Sequence, residues 1–177
     1  MTSYDWGRPG ATALVVPFPE AEAVIGNLRR AHTRSGRDGM PAHATIIAPF
    51  IHASSIGHPE SATIRDTLRR FVAFDVSLEA FGCFEHIGCL YLEPDPSEPF
   101  VGITKALLAI HPEIDYPPEG LEIVPHVTVG GHLTEEQQQE IKRALAPHLP
   151  VHARAKRVVL AERGEDGRWF DREVFPL

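Results

Sequence analysis

At 177 residues the chain is long enough to bury one sizeable hydrophobic core, so a single domain spanning residues 1–177 is the default expectation. Its apolar content of 43% is ordinary for a globular protein. Its formal charge of −7 argues against a protein that coats long duplex nucleic acid through phosphate contacts, although it does not exclude binding of a small nucleotide or a nucleic-acid end.

Simple patterns bear on the compartment and the redox state of the chain. The amino terminus has no basic segment before its apolar run, and Pro17 interrupts that run, so no signal peptide is expected. No window is long enough to span a bilayer, so we expect a cytoplasmic monomer without a membrane partner. Cys83 and Cys89 flank a short turn; without a secretory signal, two free thiols are favoured over a disulfide, and zinc-site spacing is missing.

Hydrophobic periodicity and turn residues predict an α+β chain. The predicted elements, in chain order, are a strand over 11–18, a helix over 20–32, a basic glycine-rich loop over 33–42, a strand over 43–51, a helix over 60–74, two strands over 75–84 and 88–94 joined by a tight turn, a helix over 97–111, a proline-rich loop over 112–125, a strand over 126–131, a helix over 134–148, and a closing pair of strands over 151–163 and 168–177.

An internal repeat is visible in this order of elements. A strand, a helix, a loop and a second strand occur in that order twice, and the second strand begins with "HATI" at His43 and with "HVTV" at His126. The difference in length between the two units falls in the loop. Chance duplication is possible in an α+β chain, but the coincidence of both histidines and both threonines argues against it.

The alternation of side chains along a strand predicts where these residues point. It places on one face His43, Thr45 and Ile47 in the first strand, and His126, Thr128 and Gly130 in the second. The apolar residues between them can pack on helices, so the histidines and threonines are expected to face a cleft between the two units. Gly130 is expected to leave room there for a ligand.

Two imidazoles and two hydroxyls around one cleft suit a phosphodiester. In-line displacement at phosphorus needs a base on the attacking side and an acid on the leaving side, and the pKa of histidine suits both roles. Threonine hydroxyls can donate to the non-bridging oxygens as charge shifts. No carboxylate cluster accompanies the motifs, so no metal and no other cofactor is expected.

The strands "HATI" and "HVTV", with "APF" after the first, resemble the two-histidine (2H) phosphoesterase superfamily, the 2′-5′ RNA ligase-like group that includes cyclic nucleotide phosphodiesterases. "FGCF…LYLEPDP" and "VVLAERGEDGRWF" resemble it as well, so the similarity covers most of the chain. The resemblance implies two interleaved lobes with an antiparallel sheet in each, flanking helices and a central cleft. One departure is visible: many relatives carry a basic residue shortly after the second motif, where this chain has Gly130 and Gly131.

The candidate site residues follow from the motifs and the resemblance. A structural role in the core or on the surface is the alternative for each of them, most strongly for the aromatic residues and the arginines. The catalytic candidates are His43, Thr45, His126 and Thr128, and the substrate-binding candidates are Phe50, Tyr91, Gly130, His132, Arg34 and Arg37.

The resemblance implies metal-independent opening of a 2′,3′-cyclic phosphate, to a 2′-phosphate, on a small cyclic nucleotide or an RNA terminus. Two alternatives stay open at the level of sequence. One is 2′-5′ RNA ligation, which is microscopically related to hydrolysis, and the other is a binding module that keeps the fold without the reaction. The sequence does not distinguish the histidine that acts as base from the one that acts as acid.

Overall fold

The computed structural model describes residues 7–118 and 120–177 and has the predicted α+β class. The strands are β1 (Thr12–Pro17), β2 (His43–Ile47), β3 (Phe74–Phe84), β4 (Cys89–Asp95), β5 (Val127–Gly130), β6 (Val151–Ala155), β7 (Arg157–Arg163) and β8 (Trp169–Pro176). The α-helices are α1 (Pro19–His32), α2 (Arg34–Arg37), α3 (His58–Leu68), α4 (Glu98–Ile110) and α5 (Glu135–Leu145).

All strand pairs are antiparallel, and the strands form one sheet in the order β6-β3-β4-β5-β2-β1-β7-β8. Two four-stranded halves meet at its centre, where β2 and β5 share a single residue pair, Ala44 with Val127. We call β2-β1-β7-β8 the first half-sheet and β5-β4-β3-β6 the second. Each half-sheet therefore begins at the centre with a strand that carries one His-x-Thr motif.

The two half-sheets exchange their helices. Helix α1 follows β1 of the first half-sheet but packs against β5 and β6 of the second, whereas α4 follows β4 of the second and packs against β2 of the first. The buried face of α1 carries Ala21, Ile25 and Arg29, which recur at the four-residue spacing of one helix face. A side chain from this helix can therefore reach both central strands.

The predicted strand over 151–163 is wrong in one respect, because the chain makes two strands there. β6 pairs with β3 at one edge of the sheet, and β7 pairs with β1 in the other half-sheet, with Lys156 between them. Both stretches are typical of continuous β-structure in sequence, since a change of partner strand leaves the alternation of side chains intact. The charged residues of β6 lie on the solvated edge, where Arg154 pairs with Asp75 at 2.6 Å.

Other predicted bounds also differ from the structure, most clearly at three places. Within the predicted loop over 33–42, residues 34–37 form α2, because the Thr33 hydroxyl accepts from the Gly36 amide at 2.9 Å and caps a single turn. Strand β2 ends at Ile47, just before the Ala48–Pro49 bond, and α3 ends at Leu68 instead of continuing to residue 74.

A bulge interrupts both central strands at the same point. Thr45 lies opposite Val15 and Ile47 lies opposite Leu14, so two residues of β2 advance against one of β1. In the second half-sheet, Thr128 lies opposite Tyr91 and Gly130 opposite Leu90. The expected alternation therefore fails just beyond each threonine. Ile47 turns into the main core, and Gly130 lies opposite the fully buried Leu90 instead of sharing the face of the histidine.

Cys83 and Cys89 are free thiols, as predicted. Cys83 lies opposite Leu90 and donates to the Gln138 side chain of α5, whereas Cys89 lies opposite Phe84. No α-helix in the described part of the chain is long and apolar enough to cross a bilayer.

Backbone hydrogen bonds join the turn of the β3–β4 hairpin to the segment that follows β5. Gly88 has φ +58°, and the Leu133 amide donates to its carbonyl at 3.0 Å. A Cβ atom at Gly88 would lie 2.5 Å from the Leu133 carbonyl oxygen, a distance that real Cβ atoms do not tolerate. This turn needs glycine both for its backbone conformation and for the close approach.

We expect Gly88→Ala to reduce the free energy of unfolding by about 2–3 kcal/mol, since left-handed strain adds to the clash with backbone. Gly120→Ala is the matched control, because Gly120 has φ +84° but open space around it, and it should cost about 1 kcal/mol. Urea denaturation measures both values. Equal losses would show that the contact with Leu133 contributes nothing.

Candidate active site in the central cleft

A cavity of about 460 Å³ lies at the centre of the sheet, where the two half-sheets meet. His43, Thr45, His126 and Thr128 all line it, so the structure brings the four predicted catalytic residues together. The remaining lining residues come mainly from the first half-sheet, α2 and the loop after α4: Ala13, Val15, Arg34, Ser35, Asp38, Met40, Ala48, Tyr116, Arg163 and Trp169.

The two histidines are held in the same way. The Nδ1 atom of His43 lies 2.7 Å from the carbonyl oxygen of Pro41, and Nδ1 of His126 lies 2.7 Å from that of Val124. Because a carbonyl only accepts, each Nδ1 carries the proton, and in the neutral ring Nε2 keeps its lone pair. Each imidazole is thereby oriented with Nε2 as its reactive atom.

The electrostatic surroundings favour neutral imidazoles in the free protein. Burial, followed by the Arg29 guanidinium, lowers the pKa of His43 to about 3, against a smaller rise from the bond to Pro41. Burial also lowers the pKa of His126, and its bond to Val124 partly offsets the effect. A bound anion would reverse this trend, because a nearby negative charge favours the protonated form.

Arg29 is the residue that links the two central strands. Its side chain is only 1% exposed, and it donates to the Thr128 carbonyl in β5 at 2.5 Å. The same guanidinium lies 3.5 Å from the carbonyl oxygen of Met40 and 3.4 Å from that of Pro41, just before β2. The Pro41 carbonyl also orients His43, so Arg29 supports the backbone of both motifs.

Aromatic side chains pack around His126. The ring of Phe84 lies edge-on to His126 at 5.1 Å, and that of Tyr91 lies 5.2 Å from it. Phe84 and Tyr91 also contact each other at 4.7 Å. Tyr91, predicted to stack a base, is only 7% exposed and instead supports the His126 ring.

The other predicted binding residues divide by position. Arg34 lines the cavity, with its Nε 3.6 Å from Asp38. Arg37 points elsewhere and donates to the Ala31 carbonyl. Phe50 is buried against His111, so its ring is not available to a ligand.

Gly130 and His132 also lie away from the cavity lining. A Cβ at Gly130 would meet Leu133 and His32, so the space beside it is filled by the protein. His132 lies in a turn with φ +55°. The bulge after Thr128 accounts for both placements, because it changes the face on which the following residues lie.

Several residues in or beside the cavity were missed by sequence reasoning. Arg29 had a local signal, since it continues the buried face of α1 from Ile25. No local sequence signal marked Arg163, Asp38 and Trp169, because these residues are far apart in sequence and meet only in the folded protein. Arg163 donates to Asp38 at 2.7 Å and lies over the Trp169 ring at 5.9 Å.

A concavity of about 600 Å³ on the second half-sheet does not suit an anion. It is lined by Glu79, Glu93 and Asp95, whose charges repel phosphate. Within residues 7–118 and 120–177, no group of three or more histidine, cysteine or carboxylate side chains is arranged to hold a metal ion. Metal-independent chemistry remains a prediction.

Comparison with known proteins identifies the family. The family model of the 2′-5′ RNA ligase superfamily matches residues 17–167, and the chain belongs to this superfamily of 2H phosphoesterases. No curated protein matches the sequence.

Solved structures show the same fold at low sequence identity. LigT of Escherichia coli complexed with 3′-AMP is 14% identical, with a TM-score of 0.63 over 96% of this chain and 99% of LigT. The protein TT0787 of Thermus thermophilus is 15% identical, with a TM-score of 0.60 over 94% of this chain and 97% of its own. Because the identities are so low, these matches establish the fold alone.

We expect Arg29→Met to reduce the free energy of unfolding by about 2–4 kcal/mol, because buried carbonyls lose charged hydrogen-bond donors. It should also raise the pKa of His43, since a neighbouring positive charge is removed while burial remains.

Urea denaturation and NMR titration of the imidazole protons measure the two effects. Arg30→Met is the control, because Arg30 is the next residue but is exposed and pairs with Glu22, and it should change stability by less than about 1 kcal/mol. An unchanged pKa of His43 in Arg29→Met would contradict the electrostatic coupling.

Proposed function

We propose that the protein is a phosphoesterase that opens a 2′,3′-cyclic phosphate of a nucleotide or an RNA end, to a 2′-phosphate, by paired-histidine catalysis. The observation that carries this proposal is the pair of His-x-Thr motifs on one cavity, each with its Nδ1 atom bonded to a backbone carbonyl. Membership of the 2′-5′ RNA ligase superfamily supports it. So do the structures of LigT with 3′-AMP, ATP and NADP+, which point to a nucleotide as ligand.

The two histidines divide the acid–base work. One Nε2 atom takes the proton of the attacking water, and the other, protonated, gives a proton to the ribose oxygen that leaves. We assign the base to His43, because burial and Arg29 keep its ring unprotonated, so that its Nε2 lone pair can accept a proton. His126 then acts as the acid, and its protonated ring is stabilised by the phosphate it contacts.

The threonines stabilise the charge on phosphorus. Thr45 and Thr128 each lie two residues after a histidine and line the same cavity. Their hydroxyls donate to the non-bridging oxygens as negative charge grows in the transition state. Loss of either hydroxyl is expected to lower the rate about 10²–10³-fold.

The central test compares His43→Ala with His126→Ala on two kinds of substrate, with EDTA present. On 2′,3′-cyclic AMP each variant should lose about 10²–10⁴ in rate. On bis(p-nitrophenyl) phosphate, whose leaving group needs no proton, His126→Ala should lose much less than His43→Ala.

The outcomes separate the proposals. Near wild-type turnover of the cyclic phosphate by either variant would refute paired acid–base catalysis. The opposite order on the activated ester would exchange the roles of the two histidines. Loss of activity in EDTA, restored by zinc or magnesium, would refute metal independence, and joining of RNA ends without hydrolysis would make ligation the function.

The pH dependence follows from the lowered pKa values. kcat/KM reports the free enzyme, in which one imidazole must be protonated. Since the pKa of both histidines is lowered, kcat/KM should already fall as pH rises toward 6.5, the ordinary histidine value. kcat reports the complex, where the phosphate raises these pKa values, so its decline should come at higher pH. Initial rates across pH 4–9 test this, and coincident profiles would contradict it.

A further inference from the structure

The two sides of the cavity differ at positions that the strand register makes equivalent. Opposite the threonine of each motif stands Val15 in the first half-sheet and Tyr91 in the second. One step further along the same face, Ala13 pairs with Ala161 in the first half-sheet, whereas Cys89 pairs with Phe84 in the second. Small side chains on one side thus correspond to aromatic rings on the other.

This difference decides where space is available. In the second half-sheet, Phe84 and Tyr91 contact each other and both contact His126, so the rings fill the region beside that histidine. In the first half-sheet, Ala13 and Val15 line the floor of the cavity with small apolar side chains, which are 1% and 3% exposed. A phosphorus atom between the two histidines therefore has room for a large substituent on the side of the first half-sheet.

The wall above this floor carries positive charge. Arg163 is 6% exposed and donates to Asp38 at 2.7 Å, while Arg34 lies 3.6 Å from the same carboxylate. Two guanidinium groups thus share one carboxylate. The Nε atom of Arg163 is buried and meets no hydrogen-bond acceptor among the described residues.

The two arginines and the apolar residues beside them indicate which kind of ligand this part of the cavity can bind. Guanidinium groups bind phosphate through paired hydrogen bonds, and a partly buried site strengthens the interaction. Trp169 and Met40 extend the apolar floor beside the two arginines. A flat apolar group next to an anion, as in a nucleoside 5′-phosphate, matches an apolar floor next to a positive wall.

We propose that the nucleoside of the substrate lies over the first half-sheet, on Ala13 and Val15, and that Arg34 and Arg163 bind a second phosphate on its 5′ position. The preferred substrate is then a cyclic nucleotide, or an RNA end, with a phosphate beyond the reacting one. This inference rests on the proposed function for the position of the reacting phosphate. It goes further by assigning the orientation and the second anionic group.

A binding experiment tests the site without requiring turnover. Isothermal calorimetry compares adenosine 2′-phosphate with adenosine 2′,5′-bisphosphate on the intact protein. The bisphosphate should bind about 10- to 100-fold more tightly, as expected for charged hydrogen bonds to one added phosphate. Arg34→Ala and Arg163→Lys should each remove most of that preference. Arg69→Ala, which changes an exposed arginine just after α3 that pairs with Asp66, should leave this preference unchanged.

A second variant tests the floor. Val15→Phe copies the bulk that Tyr91 supplies in the second half-sheet, and it should weaken binding of both nucleotides by about 10-fold or more while inorganic phosphate binds as before. Thermal unfolding checks that Val15→Phe is folded. If it is not, Arg34→Ala still tests the proposal, because Arg34 is exposed and its replacement does not disturb the core. Equal affinity of the wild-type protein for the two nucleotides would overturn the proposal.

Measurements of turnover distinguish the second phosphate site from the proposed hydrolysis of a cyclic phosphate. 2′,3′-cyclic AMP with a 5′-phosphate should have a lower KM than 2′,3′-cyclic AMP, and Arg34→Ala should abolish the difference between the two KM values. If neither compound is hydrolysed but the bisphosphate preference holds, the proposed reaction fails and the site stands. If both are hydrolysed with equal KM, the reaction stands and the second phosphate site is wrong.

Discussion

The geometry of the cleft depends on one buried cation. The sheet joins its halves through a single residue pair, Ala44 with Val127, which is a weak constraint on the two central strands. Arg29 adds a second tie, since its guanidinium bonds to the Thr128 carbonyl and lies near those of Met40 and Pro41. A buried charge is tolerated only when it is hydrogen-bonded, so the carbonyls and the guanidinium hold each other in place. The exchange of helices between the half-sheets is what allows one side chain to reach both motifs.

The same cation gives the two half-sites different chemistry. Its charge acts on His43, whereas His126 lies among the aromatic rings of Phe84 and Tyr91. A duplicated motif thus supplies two imidazoles of equal geometry, and their surroundings make them unequal. Acid–base catalysis benefits from such inequality, because the base must stay neutral while the acid carries a proton.

Local pattern predicted the parts of the structure that local physics controls. The repeat of elements, the two motifs and the α+β class follow from periodicity, and all three agree with the structure. The alternation of side chains correctly predicted that the histidines and threonines line the cavity. It failed beyond each threonine, because a bulge depends on pairing with the neighbouring strand and cannot be recognised in the sequence of the bulged strand. Arg163, Asp38 and Trp169 escaped prediction for a related reason: they come from distant segments, and an arginine at a strand end is usually solvated. The change of partner at Lys156 was equally invisible.

The change of partner strand at Lys156 also affects how the chain can fold while it is being synthesised. β1 needs β7 along one edge and β3 needs β6 along one of its edges, and both partners are made after residue 150. Neither half-sheet is complete until these partners have been made, so β1 and β3 each keep one edge of unpaired backbone groups, which favours association with other chains. The short stretch around Lys156 then completes both halves almost at once. Pairings this distant in sequence slow the folding of the sheet, because a long loop must close before each contact can form.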